Sequence, residues 1–217
     1  MGPAGRFLVR VGAFALAGVV IGMPLDALHV ETHVLSYSHP AIGVQAWWVP
    51  FVFAFAGIAL CEGHHQTRRL IHEPPTGRPT TGLMVGSVGV LVAVYGSSGL
   101  LKSVPVVSCA LYLLTFAAGT RLWWRESWGL LALTAIGLAI GGPLVESLIT
   151  LTGGFHYADR DVWRVPVWLP LIYLNAAFVA ATFDNLVDDV ISTRATRPDG
   201  AVVSGSADPP STAAVAP

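Results

Sequence analysis

Apolar residues occupy the chain in six long stretches separated by short polar segments. The stretch from Gly82 to Thr120 carries Lys102 as its only charge, and the stretches 41–61 and 165–183 carry none. A helix of a water-soluble domain is polar on its outer face, whereas about 20 apolar residues in a helix cross the ~30 Å hydrocarbon core of a bilayer. The pattern predicts an all-α integral membrane protein, a bundle of six transmembrane helices at about 8–29, 44–61, 82–99, 104–122, 129–151 and 167–189.

Composition supports the same class, since 53% of residues are hydrophobic and 12% are charged. We expect one transmembrane domain, 1–192, because 217 residues fit a single bundle. The tail 193–217 is rich in Ala, Ser and Pro without an apolar period, and we expect it to be disordered and cytoplasmic. With a net charge of −1 and no basic cluster, the sequence predicts no nucleic-acid partner.

Basic residues predict the orientation of the bundle, because cytoplasmic loops carry an excess of Lys and Arg. Nine basic residues fall on the side that holds both termini, which is therefore predicted to be cytoplasmic: Arg6, Arg10, Arg68, Arg69, Arg78, Arg121, Arg125, Arg194 and Arg197. The other side has Lys102, Arg160 and Arg164. The abundance of Arg, Ala, Gly and Val is typical of bacterial sequences and favours a bacterial plasma membrane over the endoplasmic reticulum.

Uncharged polar residues inside the spans suggest a lipid pocket. An apolar pocket with a few hydroxyl groups and no buried base suits a neutral lipid such as a sterol, diacylglycerol or isoprenoid. Alternatively, the Ser and Thr hydroxyls bond backbone carbonyls of their own helices, which needs no ligand. The hydroxyl-bearing candidates are Tyr95, Ser97, Ser98, Ser108, Tyr112, Thr115 and Thr134.

Two acids lie at similar depth inside apolar spans, Asp26 in the first and Glu146 in the fifth. Ionisable groups at such positions are functional candidates by default. Glu146 could instead reach outer water or pair with His156 or Arg160. The two acids together support an alternative function, a small proton-coupled membrane carrier.

The sequence contains no Ser-His-Asp order, phosphate-binding glycine loop or HExxH motif, so we predict no catalytic residues, no cofactor and no enzyme activity. A lipid-modifying enzyme would need a metal held by the acids at the end of the last span, which are more simply a solvated helix end. The first outer loop has a His-x-Glu-x-His spacing that differs from that of zinc peptidases, so we predict no metal site. His64 and His65 are expected to be solvated. The acids are Asp184, Asp188 and Asp189, and the loop residues are His29, Glu31, His33 and His39.

Several short motifs resemble the Insig family of sterol-response membrane proteins, in the family's order and over roughly residues 8 to 190. Ala46-Trp47-Trp48-Val49-Pro50 resembles the start of that family's second span, and Leu122-Trp123-Trp124 resembles the end of its fourth. The cytosolic loop of the family has a similar His and Glu-Pro, here His65 and Glu73-Pro74. Its last loop and sixth span are similar to Gly153, Tyr157, Asp161 and Trp168-Leu169-Pro170.

The resemblance implies a non-enzymatic six-helix bundle with cytosolic termini that acts as a lipid sensor or a scaffold for another membrane protein. Eukaryotic Insig proteins bind oxysterol and hold the sterol-sensing domains of Scap and HMG-CoA reductase. The implied partner-binding residues are Trp123, Trp124 and Glu126. Together with the hydroxyl pattern, the expected lipid-binding residues are Trp47, Tyr95, Gly96, Ser97, Ser98, Tyr112 and Glu146. Self-association into a homo-oligomer is also possible.

Overall fold

In a computed structural model, the chain is described over residues 2–196, without the side chains of 194–196. Six helices and a two-stranded sheet make up the fold, which confirms the predicted all-helical bundle in its main features. They are α1 (Pro3–Glu31), β1 (Leu35–Tyr37), α2 (Val49–Leu70), α3 (Thr81–Leu101), α4 (Pro105–Trp123), α5 (Trp128–Leu151), β2 (Phe155–Tyr157) and α6 (Leu169–Thr196).

Five helices are long and apolar enough to cross a membrane, namely α1, α3, α4, α5 and α6. Large apolar side chains are also exposed on the bundle surface, as at Leu16, Val106 and Ile140. Both features are those of an integral membrane protein, whose outer surface contacts lipid tails.

Helix α2 falls outside that group because its last turns are polar. It begins at Val49 and continues to Leu70, whereas the sequence predicts a span at 44–61. The added turns carry Glu62 and Arg68, which lower the mean hydropathy of the helix. Helix α6 likewise continues to Thr196, past the predicted end at 189. The rest of the predicted disordered tail, 197–217, lies outside the described residues.

Local sequence signals explain several helix starts. The side chains of Thr80 and Ser127 cap α3 and α5 by accepting the backbone N–H of Leu83 and Leu130. Pro50 lies in the first turn of α2, where proline fits without losing a helix hydrogen bond. It therefore starts this helix and does not bend it.

Glycines bring α1 and α2 into close contact. A Cβ atom on Gly18 would lie 2.1 Å from the carbonyl oxygen of Phe53, and one on Gly57 would lie 2.2 Å from that of Phe14. No side chain larger than hydrogen fits between two backbones at these distances. The contact follows the small-residue rule for membrane helices.

Helix α6 is the central helix of the bundle. It packs against each of the other five helices, and 61% of its apolar window is buried, compared with 17% for α1. The centre of the bundle is therefore built around α6, with the outer helices facing lipid.

The small sheet joins two similar units of the fold. Strand β1 pairs antiparallel with β2, with Leu35 opposite Tyr157, Ser36 opposite His156 and Tyr37 opposite Phe155. This register is symmetric about the Ser36–His156 pair, as an approximate two-fold axis between the units requires. The units are α1–β1–α2 and α5–β2–α6, and each contains a similar isolated bridge before its second helix, Ile42–Gln45 and Val162–Val165.

The sequence carries the same repeat at a constant separation of 120 residues. Identical residues at that separation include Gly22 and Gly142, Leu28 and Leu148, Thr32 and Thr152, Tyr37 and Tyr157, Trp48 and Trp168, and Pro50 and Pro170. Asp26 and Glu146 occupy equivalent acidic positions. Equivalent residues therefore occupy corresponding positions on the two sides of the axis.

Candidate functional site

The bundle has two distinct ends. We call the end with β1 and β2 the sheet end, and the end with the start of α1 and the last turns of α2 and α6 the terminal end. A cavity of about 250 Å³ lies towards the sheet end. Its polar lining includes both buried acids of the spans, and its aromatic lining comprises Tyr37, Trp48, Phe53, Phe55, Tyr95, Phe155, Tyr157 and Tyr173.

Asp26 is held in the cavity by an amide and a phenol. The hydroxyl of Tyr37 donates to both carboxylate oxygens, at 2.9 and 2.8 Å. Gln45 Nε2 donates to Asp26 Oδ2 at 2.6 Å and also to the carbonyl oxygen of Met23 at 2.9 Å. Tyr37 of β1 and Gln45 of the isolated bridge thus hold this carboxylate of α1.

Glu146 is held by two phenols. Tyr157 and Tyr173 donate to its two carboxylate oxygens. Tyr157 is the repeat equivalent of Tyr37, and it contacts the acid equivalent to Asp26. The predicted pairing of Glu146 with His156 or Arg160 is not seen, because the cavity-facing side of β2 presents Tyr157 to the acid.

Burial keeps both loop tyrosines protonated. Burial and the neighbouring Asp26 carboxylate raise the pKa of Tyr37 above its ordinary value, and burial and Glu146 raise that of Tyr157. Each hydroxyl therefore donates to its acid over the ordinary pH range. Among the described residues, no Lys or Arg lines the cavity, so two acidic groups face it without a cation.

The cavity reaches the surface of the bundle between α2 and α5. Two of its lining residues, Phe55 on α2 and Val145 on α5, are 65% and 44% exposed. Gly141 also lines this side, and a Cβ atom there would meet open space. An apolar tail lying between these helices would contact both the cavity and the surrounding lipid.

Of the predicted lipid-binding residues, Tyr95 and Glu146 line this cavity. The remaining ones lie elsewhere for identifiable reasons. Ser98 contacts His29 Nε2 at 2.7 Å, which joins α3 to α1, whereas Ser97 donates to the carbonyl oxygen of Val94 at 3.1 Å within its own helix. Gly96 packs near Leu28, and Tyr112 is fully buried in the core.

Trp47 is 63% exposed, whereas its neighbour Trp48 lines the cavity. Adjacent residues in the turn before α2 face opposite directions. Trp48, which lines the cavity, is also the tryptophan of the pair that has an identical residue in the second unit, Trp168.

Charged side chains of the terminal end form a buried network. Arg10 Nη2 lies 2.7 Å from Asp184 Oδ1, and Arg68 Nη2 lies 3.1 Å from Asp184 Oδ2. Both arginines also contact Asp188. Asp184 and Asp188 are thus ion-paired in the bundle, which corrects the expected solvation of these acids, because α1 and α2 place two guanidinium groups against them. Asp189 lies 4.0 Å from the exposed Arg78.

The expected solvation of His64 is wrong as well. Its side chain is 1% exposed, its Nδ1 lies 3.1 Å from Thr134 Oγ1, and its Nε2 lies 3.3 Å from Glu126 Oε2. His65 Nδ1 lies 3.2 Å from Asp184 Oδ1. One face of the polar last turns of α2, with His64 and Arg68, therefore packs inside the bundle.

One group of possible metal ligands occurs in the described part of the chain, His65, Asp184 and Asp188. Arg10 and Arg68 already occupy its carboxylate oxygens and neutralise their charge. A divalent cation would have to displace both guanidinium groups. The first-loop histidines do not converge either, since His29 is buried against Ser98 and stacks on Tyr95 with ring centroids 4.6 Å apart.

The three predicted partner-binding residues lie together at the terminal end. Trp123, Trp124 and Glu126 line a second cavity of about 800 Å³ between the α2–α3 loop, the end of α4 and α6. Asn185 Nδ2 on α6 donates to Glu126 Oε1 at 2.8 Å. The tryptophans also pack against Phe178 of α6.

Sequence reasoning missed Tyr37, Gln45, Tyr157 and Tyr173 as partners of the two acids. The constant separation of 120 residues between Tyr37 and Tyr157, and between Asp26 and Glu146, is the signal that could have found them. Neither Gln45 nor Tyr173 has an identical residue at the equivalent position of the other unit, so the repeat does not mark them.

The fold defines a class, a helical membrane bundle with the fold of a bacterial Insig homologue, as the motif resemblance predicted. Over 83% of this chain and 94% of theirs, two solved structures match with a TM-score of 0.70 and 24% sequence identity. One is an Insig homologue, MvINS, from Mycobacterium vanbaalenii, and the other is a cross-linked trimer of an MvINS variant with an arginine changed to cysteine. No protein-family model matches the sequence, and no curated protein does.

Proposed function

We propose that this protein is a non-enzymatic, Insig-like membrane protein that binds one neutral lipid in the sheet-end cavity and acts as a lipid sensor or scaffold. The observation that carries the proposal is the cavity itself, which combines an aromatic wall, a lipid-facing opening between α2 and α5, and polar groups at its inner end. Candidate lipids are a sterol, a diacylglycerol or an isoprenoid.

The charge of the lining supports a lipid without phosphate. A phosphate head group would meet Asp26 and Glu146 with no Lys or Arg among the described lining residues to offset the repulsion. A hydroxyl head group can instead donate to either carboxylate, and tyrosine hydroxyls can accept or donate. Tails would lie against Phe55 and Val145.

The proposed topology has six spans with both termini in a bacterial cytoplasm. Successive helices run between the two ends of the bundle, so α2 crosses as well, although its last turns are polar. At ~1.5 Å per residue its 22 residues extend over about 33 Å. Reporter fusions at residue 75 and at residue 40 test this, since the first should report cytoplasm and the second the outer side.

Native mass spectrometry of protein purified from its own membranes tests lipid binding. Wild-type protein should carry one neutral lipid per chain. A Gly141→Leu variant should lose most of it, because the new side chain enters the open space that lines the cavity.

The matched control is Gly137→Leu, one turn away on the same helix, where a Cβ atom also meets open space but outside the cavity lining. This variant should keep its lipid. Wild-type protein without any stoichiometric lipid would contradict the proposal, as would equal occupancy in both variants.

The scaffold role would use the terminal-end cavity. Trp123 and Trp124 lie at its edge beside Glu126, where a helix of another membrane protein could pack. Self-association is a further possibility, given the trimer of the structurally similar MvINS variant. Cross-linking in membranes distinguishes a homo-oligomer from a complex with a different partner.

A proton-coupled carrier is the second candidate function, favoured by one observation, namely that Asp26 and Glu146 line the same cavity. Its test is transport in proteoliposomes. A carrier would lose coupled transport when Asp26→Asn and Glu146→Gln are combined, whereas a lipid-binding protein would show no transport before the change.

A further inference from the structure

We propose that the sheet-end cavity also binds an organic ammonium group, as the head of a cationic amphiphile, between Asp26 and Glu146. This inference rests on the lipid-facing cavity of the proposed function, and it adds a second class of head group to the neutral one. Three features of the lining carry it, namely charge, free acceptor positions and aromatic faces.

The charge of the lining is one-sided. Asp26 and Glu146 both face the cavity, and the described lining residues include no Lys or Arg. His29 is the remaining nitrogen base of the lining, and its Nε2 is engaged with Ser98 at 2.7 Å. A cation in the cavity would therefore face two carboxylates and no fixed positive charge of the lining.

Both carboxylates keep acceptor capacity for a ligand. A carboxylate offers about four lone-pair positions. Asp26 accepts from Tyr37 and Gln45, and Glu146 accepts from Tyr157 and Tyr173. These donors orient the acids without using every acceptor position, so an ammonium N–H can bind to each.

The aromatic wall suits a cation equally well. Ring faces attract an ammonium group through their quadrupole, and several rings around one cation form the cage by which proteins recognise quaternary ammonium. Tyr95 and Tyr173 reach the cavity from α3 and α6, and Tyr37 and Trp48 pack edge to face with centroids 5.5 Å apart. Rings from four parts of the chain thus surround the acids.

The hydrocarbon tail of such an amphiphile has a defined path. From the acids it would run towards Phe55 and Val145 and leave the bundle between α2 and α5. An anionic head with the same tail would be repelled by both carboxylates. The cavity should therefore rank head groups as ammonium first, alcohol second and phosphate last.

The test compares three probes with one tail, namely dodecylammonium, dodecanol and dodecyl phosphate, on full-length protein in an uncharged detergent. Affinity is measured by ligand-dependent intrinsic tryptophan fluorescence, since Trp48 lines the cavity. For wild-type protein the ammonium probe should bind about tenfold more tightly than the alcohol, a ratio in the range expected for cation–π and ion pairing in a partly desolvated site.

The combined variant Asp26→Asn/Glu146→Gln should lose this preference and still bind the alcohol. Each single variant should lose part of it, which keeps the test decisive should the combined variant fail to fold. The control is Glu31→Gln, which removes an exposed acid from the end of the same α1 helix and should leave the preference unchanged.

Two results overturn the inference, namely equal affinity of wild-type protein for the ammonium and alcohol probes, and a preference that persists in the combined variant. In both cases alcohol binding would remain, so the neutral-lipid function would stand. If no probe binds and no lipid is found by mass spectrometry, the cavity is not a lipid site and both proposals fail.

Discussion

Each end of the bundle buries ionisable residues at positions related by the internal repeat, but the two ends balance the charges in opposite ways. At the terminal end, His64 and Arg68 of the first unit have Asp184 and Asp188 as their repeat equivalents, and Arg68 contacts both acids. At the sheet end, Asp26 has Glu146 as its equivalent, and phenols and an amide are their donors.

This difference separates a structural network from a candidate binding site. Arg68 contacts its equivalent Asp188, and Asp26 and Glu146 line one cavity, so these equivalent residues lie near one another. Identical charges at such positions repel unless the sequence makes them complementary. The terminal end is complementary, and its arginines and aspartates hold α1, α2 and α6 together. The sheet end keeps two acids beside a cavity, an arrangement that costs stability and is typical of functional sites.

Removing Arg68 should have the largest effect on stability. Arg68→Ala leaves the fully buried Asp184 with one guanidinium group fewer, and breaking a buried ion pair costs about 3–5 kcal/mol. The measurement is the free energy of unfolding, or the melting temperature, in detergent.

Arg69→Ala is the matched control, because Arg69 is exposed at the next position of the same helix. Its unfolding free energy should change by less than about 0.5 kcal/mol. Equal losses for the two variants would show that the terminal-end network does not hold the bundle together.

Disturbing the close contact of α1 and α2 should cause the next largest loss of stability. Gly57→Ala would place a methyl group 2.2 Å from the Phe14 carbonyl oxygen, so the helices must separate and α1 must shift together with Arg10. Overpacking of this kind costs about 1–3 kcal/mol.

Gly63→Ala serves as its control, since a Cβ atom there meets open space later in α2. Alanine has the higher helix propensity, so this variant should be neutral or more stable by up to about 1 kcal/mol. The interpretation of the helix contact is wrong if both glycine variants are equally stable.

Exchanging the charges of Arg68 and Asp188 tests whether their contact stabilises the terminal end. Arg68→Asp alone should destabilise the protein strongly, and adding Asp188→Arg should recover about 1–3 kcal/mol, because the two residues contact one another. A strictly additive double-mutant cycle would mean that this contact carries no coupling energy.

The smallest stability change is expected at the sheet end. Glu146→Gln removes one of two like charges that face the cavity, while the amide can still pair with Tyr157 and Tyr173. We expect a change within about 1 kcal/mol of wild type, or a gain, together with weaker ligand binding. A loss as large as that of Arg68→Ala would assign Glu146 a structural role.

Much of the fold follows from the sequence because lipid imposes a simple rule on each helix. Charge-free windows such as 165–183 predict a span without knowledge of its neighbours. The polar end of α2 escapes that rule, since Arg68 and His64 are buried by partners more than 60 residues away. Contacts of that kind are not encoded in local periodicity.

The candidate site was predictable only in part for the same reason. Glu146 and Asp26 stand out as acids in apolar runs, and Tyr95 as a polar group in a span. The tyrosines that hold the acids lie in the two short strands and near the start of α6, where tyrosine is ordinary. Only a comparison of the chain with itself at a separation of 120 residues identifies Tyr37 and Tyr157 as a repeated pair.

The most direct test of the account is a structure of the protein purified from its own membrane with its lipid retained. The account predicts density for one lipid whose head group contacts Asp26 and Glu146 and whose tail leaves the bundle between Phe55 and Val145. A cavity closed by its own side chains, or lipid bound only on the outer surface, would contradict it.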